Sequence, residues 1–198
     1  MLIGIAGKIG SGKSHVARLL EERGWRTLDL DIVAHRALEE KTREIIDIFG
    51  DDVLLDGHID RKALGRLVFS DEESLKRLEE VTYPWIEEKT REWIAEDENT
   101  PAAIHAINLH KTKLHEECDA VIWVSAPRRV RRKRVAKRDN RPWKELKSRF
   151  RSQKALNPKV FSQHAEIYSV RNSKNDASVN ASLDRVLRRL TRIGRDNQ

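Results

Sequence analysis

Gly7-Lys8-Ile9-Gly10-Ser11-Gly12-Lys13-Ser14 fits the pattern G-x-x-x-x-G-K-[ST], and each position has a mechanical reason. The glycines let the backbone curl so that successive N–H groups point inward and cradle phosphate oxygens. Lys13 is the residue that reaches the β- and γ-phosphates of a nucleotide, and Ser14 supplies a hydroxyl to Mg²⁺. The cradle runs on into His15 at the start of the next element. The alternative is a glycine-rich turn that binds nothing. A second pair of groups, Asp29 and Asp31, follows downstream. One carboxylate there can take a proton from an attacking hydroxyl, and the other can hold Mg²⁺ or its waters. The competing reading is a helix cap, since Asp31 stands before Ile32-Val33-Ala34.

A third set is cationic. Between Arg128 and Arg151 there are thirteen Lys/Arg and two acids, a net of +11, against +7 for the whole chain, which leaves −4 for the rest. Arg134 and Arg138 are four apart and share a helix face, with Arg141 beyond them. Guanidinium forks there could close over a triphosphate as a lid. Arg128, Arg129, Arg131, Arg132 and Lys133 cannot all aim at one ligand, so part of the run must be a solvated face. A basic helix with Trp143 and Phe150 nearby could also bind nucleic acid, although no nucleic-acid module signature accompanies it.

These groups need elements to hold them. Leu2 to Ala6 is an apolar run closed by Gly7, the signature of a buried strand. Ser14 to Arg23 has helical spacing with Gly24 as its stop, and Trp25 to Leu30 reads as a second strand. Strand, loop, helix and strand in that order begin a parallel α/β sheet, whose ligands bind beyond the carboxyl ends of the strands. Ile32 to Gly50 is expected to be one helix, and Asp51 to Ile59 a turn-rich stretch. Asp60 to Glu96 is expected to be helical with an interruption at Pro84. Ala102 to Leu109 and Ala120 to Val124 are strand candidates. Arg128 to Gln153 should be helical with a turn near Asn140 and Pro142, Glu166 to Asn172 a last strand, and Leu183 to Ile193 a last helix.

The 198 residues suffice for a single core, and no linker divides them. Charged residues at 36 % raise the question of disorder, which five Trp and the periodic apolar positions answer in favour of folding. One cysteine, Cys118, cannot form an internal disulfide and suits a reducing, cytoplasmic setting. No apolar run approaches the ~20 residues that cross a bilayer. No basic region precedes the first apolar run, so a signal peptide is not expected. His105, His110 and His115 recur every five residues, a spacing that does not converge three imidazoles on zinc. Cys118 reads as a small buried residue.

Taken together, these residues resemble the dephospho-CoA kinase family over roughly residues 1 to 155. The loop is shared by many kinases. Asp29-Leu30-Asp31 followed by Ile32-Val33-Ala34-His35 is more particular, and Gly57-His58-Ile59-Asp60-Arg61-Lys62-Ala63-Leu64-Gly65-Arg66-Leu67-Val68-Phe69 more so. Leu78 through Pro84-Trp85-Ile86, and Arg134, Arg138-Asp139 and Gln153, fit later family segments. The resemblance implies an α/β P-loop kinase with a central five-stranded parallel sheet. It implies one kinase domain: a core of about 1–35, 100–127 and 166–193, a helical acceptor-side region of about 36–99, and a lid of about 128–153. It implies transfer of the ATP γ-phosphoryl to the ribose 3′-hydroxyl of dephospho-CoA, with Mg²⁺. Asp31 would be the general base with Asp29 beside it, Arg61 near the acceptor, Arg134 and Arg138 on the phosphates, and Asn172 bordering the adenine.

The chain departs from the family over the stretch from Leu156 to Asn172 and at two further places. Ile107-Asn108-Leu109-His110-Lys111 stands where a Pro-Leu-Leu-x-Glu segment is usual, so His110 or Lys111 could have taken over an acceptor contact. Tyr83 stands where histidine is common before Pro84. The alternatives are another nucleoside or nucleotide kinase, or a relative that binds ATP without catalysis. A nucleic-acid-binding protein using residues 128–151 is a further one. No membrane partner is expected.

Overall fold

In chain order the elements are β1 (Leu2–Ala6), α1 (Lys13–Glu21), β2 (Arg26–Asp29), α2 (Leu30–Glu40), α3 (Thr42–Phe49), β3 (Leu54–Leu55), β4 (His58–Ile59), α4 (Arg61–Val68), α5 (Glu72–Ala95), β5 (Ala102–His105), β6 (Ala120–Ser125), α6 (Arg128–Asp139), α7 (Trp143–Ser152), β7 (Glu166–Arg171) and α8 (Asp176–Asp196). This computed structural model describes residues 1–140, 143–173 and 175–196. They form two compact units, Met1–Leu28 with Glu98–Gln198, and Asp29–Asp97.

The first unit is built on a five-stranded parallel sheet of order β2-β5-β1-β6-β7. β1 is its centre, pairing Ile3 with Ala103 on one side and with Ala120 on the other. A strand enclosed on both edges and both faces has no use for polar alternation, and Leu2–Ala6 is apolar and buried throughout. Ile3 and Ile5 point to one face, where they pack with Val16, Leu19 and Leu20 of α1 and Val179, Leu183 and Val186 of α8. Gly4 points to the other face, where an added Cβ would lie 2.8 Å from Leu109 Cδ2 and 3.3 Å from Cys118 Sγ. Arg23 joins α1 to α8. Its guanidinium donates to Asp184 Oδ1 at 2.7 and 3.0 Å, to Asn180 Oδ1 at 2.7 Å and to Leu19 O at 2.7 Å.

The second unit packs α2, α3, the β3–β4 hairpin, α4 and α5 around Ile45, Val53, Leu64 and Val68. Its helices are started by aspartates. Asp60 accepts from Lys62 N at 2.8 Å, and Asp71 from Ser74 N at 2.8 Å.

Several expected boundaries move. Residues 32–50 form two helices, broken at Lys41 (φ −101°, ψ 22°). The stretch from 60 to 96 also breaks, at Phe69–Asp71, where Ser70 Oγ donates to Leu67 O at 2.8 Å and Asp71 begins a new cap. Pro84, the expected interruption, instead lies inside the continuous α5. Pro84 and Glu80, whose carbonyl Pro84 cannot serve, are both solvent-facing, so water can take the carbonyl while Thr82 and Ile86 stay buried. The strand expected to run to Leu109 ends at His105, and Leu109–Lys111 is a 3₁₀ turn. The last helix begins at Asp176 rather than 183, after Asn175 Oδ1 accepts from Ser178 N. α6 ends at Asn140 (φ 47°), and Arg141 and Pro142 lie outside the described residues. No helix among the described residues is long and apolar enough to cross a membrane.

Candidate active site

The loop between β1 and α1 needs its glycines. Gly7, Gly10 and Gly12 have φ of 154°, 73° and 97°, values L side chains rarely adopt. Each also carries a neighbour where a Cβ would go: Val124 O at 2.3 Å for Gly7, Arg131 O at 2.7 Å for Gly10, and Asn172 Nδ2 at 2.0 Å for Gly12. The first bond of α1 runs from Val16 N to Gly12 O at 3.1 Å. The N–H groups of Lys13, Ser14 and His15 therefore have no carbonyl within the helix, the arrangement that receives anions. Lys13 Nζ donates to Gly7 O at 3.2 Å, folding the lysine back over its own loop. His15 Nε2 lies 3.2 Å from Asp176 Oδ1 on α8. Ser11 is fully buried, its Oγ without a hydrogen-bond partner among the described residues.

The cationic segment braces this loop. Arg131 donates from Nε to Ala126 O at 3.2 Å and from Nη1 to Ile9 O at 3.3 Å, with its guanidinium 5.3 Å from the Phe150 ring centre. Arg134 donates from Nη1 to Ser11 O at 3.3 Å and Asn172 O at 3.1 Å, and from Nη2 to Asn172 Oδ1 at 3.0 Å. Asn172, 4 % exposed, is held in turn by its own N–H on Ser125 O at 2.7 Å. Gln153 Oε1 accepts from Ile9 N at 2.6 Å, and Lys8 Nζ donates to Lys154 O at 3.1 Å. Beneath these bonds, Ile9 packs with Val135, Leu146 and Phe150. Burial, then the Arg131 guanidinium, pull the Lys8 ammonium below its ordinary value. Burial and Arg128 do the same to Arg131. Cations crowded this closely gain from an anion among them.

The expected site residues thus separate. Gly7 through His15, Arg134 and Asn172 are brought together, although the Asn172 side chain faces Gly12 and Arg134. Arg138 is exposed and donates from Nε to Asp139 Oδ1 at 2.7 Å, beside Arg149 on Asp139 Oδ2 at 3.1 Å. His110 sits in the 3₁₀ turn after β5, edge-on to Phe161 at 6.1 Å between ring centres. In the second unit, Asp29 and not Asp31 caps α2, Asp29 Oδ1 accepting from Asp31 N at 2.9 Å. That leaves Asp31 exposed on the first turn. Tyr83 donates to Glu79 Oε1 at 3.0 Å. Burial first, then Glu79 and Asp31, push its phenol well above the ordinary value, so Asp31 lies within electrostatic reach of Tyr83. Arg61 is exposed at the start of α4. For Mg²⁺ the chain offers Ser14, exposed on the first turn of α1 with a hydroxyl of the hard-oxygen type the ion takes.

Arg131 is the residue that motif reading misses, because it stands in a run of look-alike cations. The available signal was Val135, the inner-face residue of α6, 1 % exposed, which lies four residues after Arg131 and so on the same face.

Comparison with known proteins agrees over the length of the chain. A family model described as dephospho-CoA kinase matches residues 1–176. A Treponema denticola dephospho-CoA kinase is 34 % identical over 194 residues, covering 92 % of this chain and 87 % of the relative. One from Thermus thermophilus is 39 % identical over 153 residues, covering 77 % and 75 %. Among solved structures, a Thermus thermophilus protein superposes with a TM-score of 0.83 at 34 % identity, covering 96 % of this chain and 97 % of the other. Campylobacter jejuni dephospho-CoA kinase does so at 0.68 and 25 % identity, covering 98 % of each. A shikimate kinase from Acinetobacter baumannii, at 15 % identity and 0.52, shares the fold.

Proposed function

This chain belongs to the dephospho-CoA kinase family, and from that premise we propose how its residues divide the work. It is an ATP-dependent kinase that transfers the γ-phosphoryl of ATP to the ribose 3′-hydroxyl of dephospho-CoA, the final step of coenzyme A biosynthesis. The loop amides from Gly7 to His15 hold the β- and γ-phosphates, and Lys13 leaves Gly7 O to meet them. Arg134 stays at the loop through Asn172. Arg138, held at Nε by Asp139, turns its remaining guanidinium nitrogens to the transferring oxygens. Asn172 borders the nucleotide.

Asp31 accepts the proton of the 3′-hydroxyl as that oxygen attacks phosphorus. Its exposure on the first turn of α2, with the capping duty carried by Asp29, supports this division. Ser14 would offer its hydroxyl to Mg²⁺, Asp29 would be the expected carboxylate for the ion or its waters, and the ion would supply positive charge to the transferring phosphate. Arg61 and His110 contact the acceptor. The buried thiol of Cys118 suits a cytoplasmic setting. The nucleic-acid reading gains nothing, because Arg131 and Arg134 are engaged within the chain and Arg132 stacks over Trp143 at 4.3 Å.

One observation carries the proposal: the Gly7–Ser14 loop is shaped by positive-φ glycines and braced by Arg131, Arg134 and Asn172. Asp31→Asn tests the base. Single-turnover phosphoryl transfer should fall by about 10²–10⁴-fold with ATP binding unchanged, whereas unaltered transfer removes Asp31 from the role. Lys13→Ala should weaken nucleotide binding itself.

A further inference from the structure

Of the histidines that recur every five residues, His115 meets two other ligand-type side chains. The chain enters β6 through the 3₁₀ turn Lys113–His115 and enters β7 through the segment that follows Phe161. Their partner strands start level, with Ala120 opposite Glu166. His115, Glu116 and His164 thereby come together, each with a ligand atom within 4.8 Å of the other two. The imidazoles of His115 and His164 stand edge to face, 5.3 Å between ring centres at 88°.

His115 is prepared for a metal. It is 8 % exposed, and its Nδ1 lies 2.5 Å from Thr112 O. A carbonyl only accepts, so Nδ1 carries the proton and Nε2 presents its lone pair. A second nitrogen hydrogen-bonded to a carbonyl is the usual support of a ligating histidine, because it fixes tautomer and ring direction together. Phe161, fully buried, packs edge-on to His115 at 5.8 Å and holds the ring from the side. His164 and Glu116 are exposed and can move inward. Tetrahedral ligands at about 2.1 Å from an ion are about 3.4 Å apart, so closing from 4.8 Å takes side-chain rotation alone.

We propose that His115, Glu116 and His164 form a site for a divalent transition-metal ion, Zn²⁺ by the borderline two-nitrogen, one-oxygen set, with water in the fourth position. The ion ties the turn before β6 to the segment before β7, across 48 residues of chain from Glu116 to His164. Neither the phosphate loop nor Asp31 takes part, so the site stands or falls separately from the kinase reading.

Titration of metal-free full-length protein with Zn²⁺ by calorimetry tests this. The wild type should take one ion per chain, and Co²⁺ in its place should give the intense visible bands of a tetrahedral site. His164→Ala and Glu116→Gln change exposed side chains and should keep the wild-type circular dichroism. Each should lower Zn²⁺ affinity by more than about tenfold, the least that disturbing such a site costs. His58→Ala, on the β3–β4 hairpin, should leave binding unchanged. Absence of stoichiometric binding, or affinity in both variants equal to the wild type, overturns the proposal.

Discussion

Replacing Arg131 by alanine removes a brace that reaches from α6 to the phosphate loop. The losses can be counted from the geometry. Two charge-assisted bonds to carbonyls, at 3.2 and 3.3 Å, are longer than ideal and contribute about 0.5–1 kcal/mol each. The contact with Phe150 at 5.3 Å adds about 0.5–1 kcal/mol. The sum is about 1.5–3 kcal/mol, offset slightly because Lys8 is freed of a cationic neighbour. For a chain of this length that lowers the melting temperature by about 3–12 °C. Differential scanning calorimetry should show this drop for Arg131→Ala, with a rise in the KM for ATP as Ile9 O loses its donor. Arg129→Ala, an exposed neighbour in the same run, should stay within about 0.5 kcal/mol of the wild type. Arg131→Lys keeps the charge without the fork and should recover little. Equal melting temperatures for Arg131→Ala and Arg129→Ala, or full rescue by lysine, would refute the bracing role.

Gly12→Ala places a methyl 2.0 Å from Asn172 Nδ2 at a φ of 97°, so nucleotide binding should collapse at a cost of at least about 2 kcal/mol in stability. Asn172→Ala in that background should restore part of the stability. Arg23→Ala cuts the bonds between α1 and α8 and should cost about 2–3 kcal/mol in urea unfolding. Asp184→Asn, which still accepts, should cost less. Burial pushes the Cys118 thiol up to about 12, so Ellman's reagent should leave it unmodified at pH 8 until the chain unfolds, and fast labelling of folded protein would contradict its place under Gly4. Hydrogen bonds from the Lys62 and Ala63 amides onto Asp60, and from the Ser74 hydroxyl and amide onto Asp71, hold both carboxyls below their ordinary value of 3.8. Their stabilisation is therefore complete above that pH and is lost as pH falls through the lower folded-state values. Circular dichroism should show Asp60→Asn and Asp71→Asn with a flatter acid transition.

What could be read from the residues follows the range of the forces. Leu2 through Glu21 was legible because strand, loop and helix start are each set by neighbours in sequence: an apolar run, glycines where the chain must turn, and helical spacing after them. Asp29 and Asp31 were legible as a pair but not in their division, since either aspartate could have capped α2. Pro84 misled because its cost depends on whether the carbonyl it leaves open faces water, a tertiary fact. Arg131 could be placed on the Val135 face of α6 but not onto Ile9, which lies 122 residues away and which no local pattern pairs with it. His164 was invisible as a partner of His115 for the same reason, since register between β6 and β7 brings them together.

Product analysis decides whether the phosphoryl group goes to dephospho-CoA. Purified protein with ATP, Mg²⁺ and dephospho-CoA should yield ADP and coenzyme A in equal amounts, resolved by chromatography, with the added phosphate on the ribose 3′-oxygen. No product from dephospho-CoA, together with turnover of a nucleoside monophosphate under the same conditions, would contradict it.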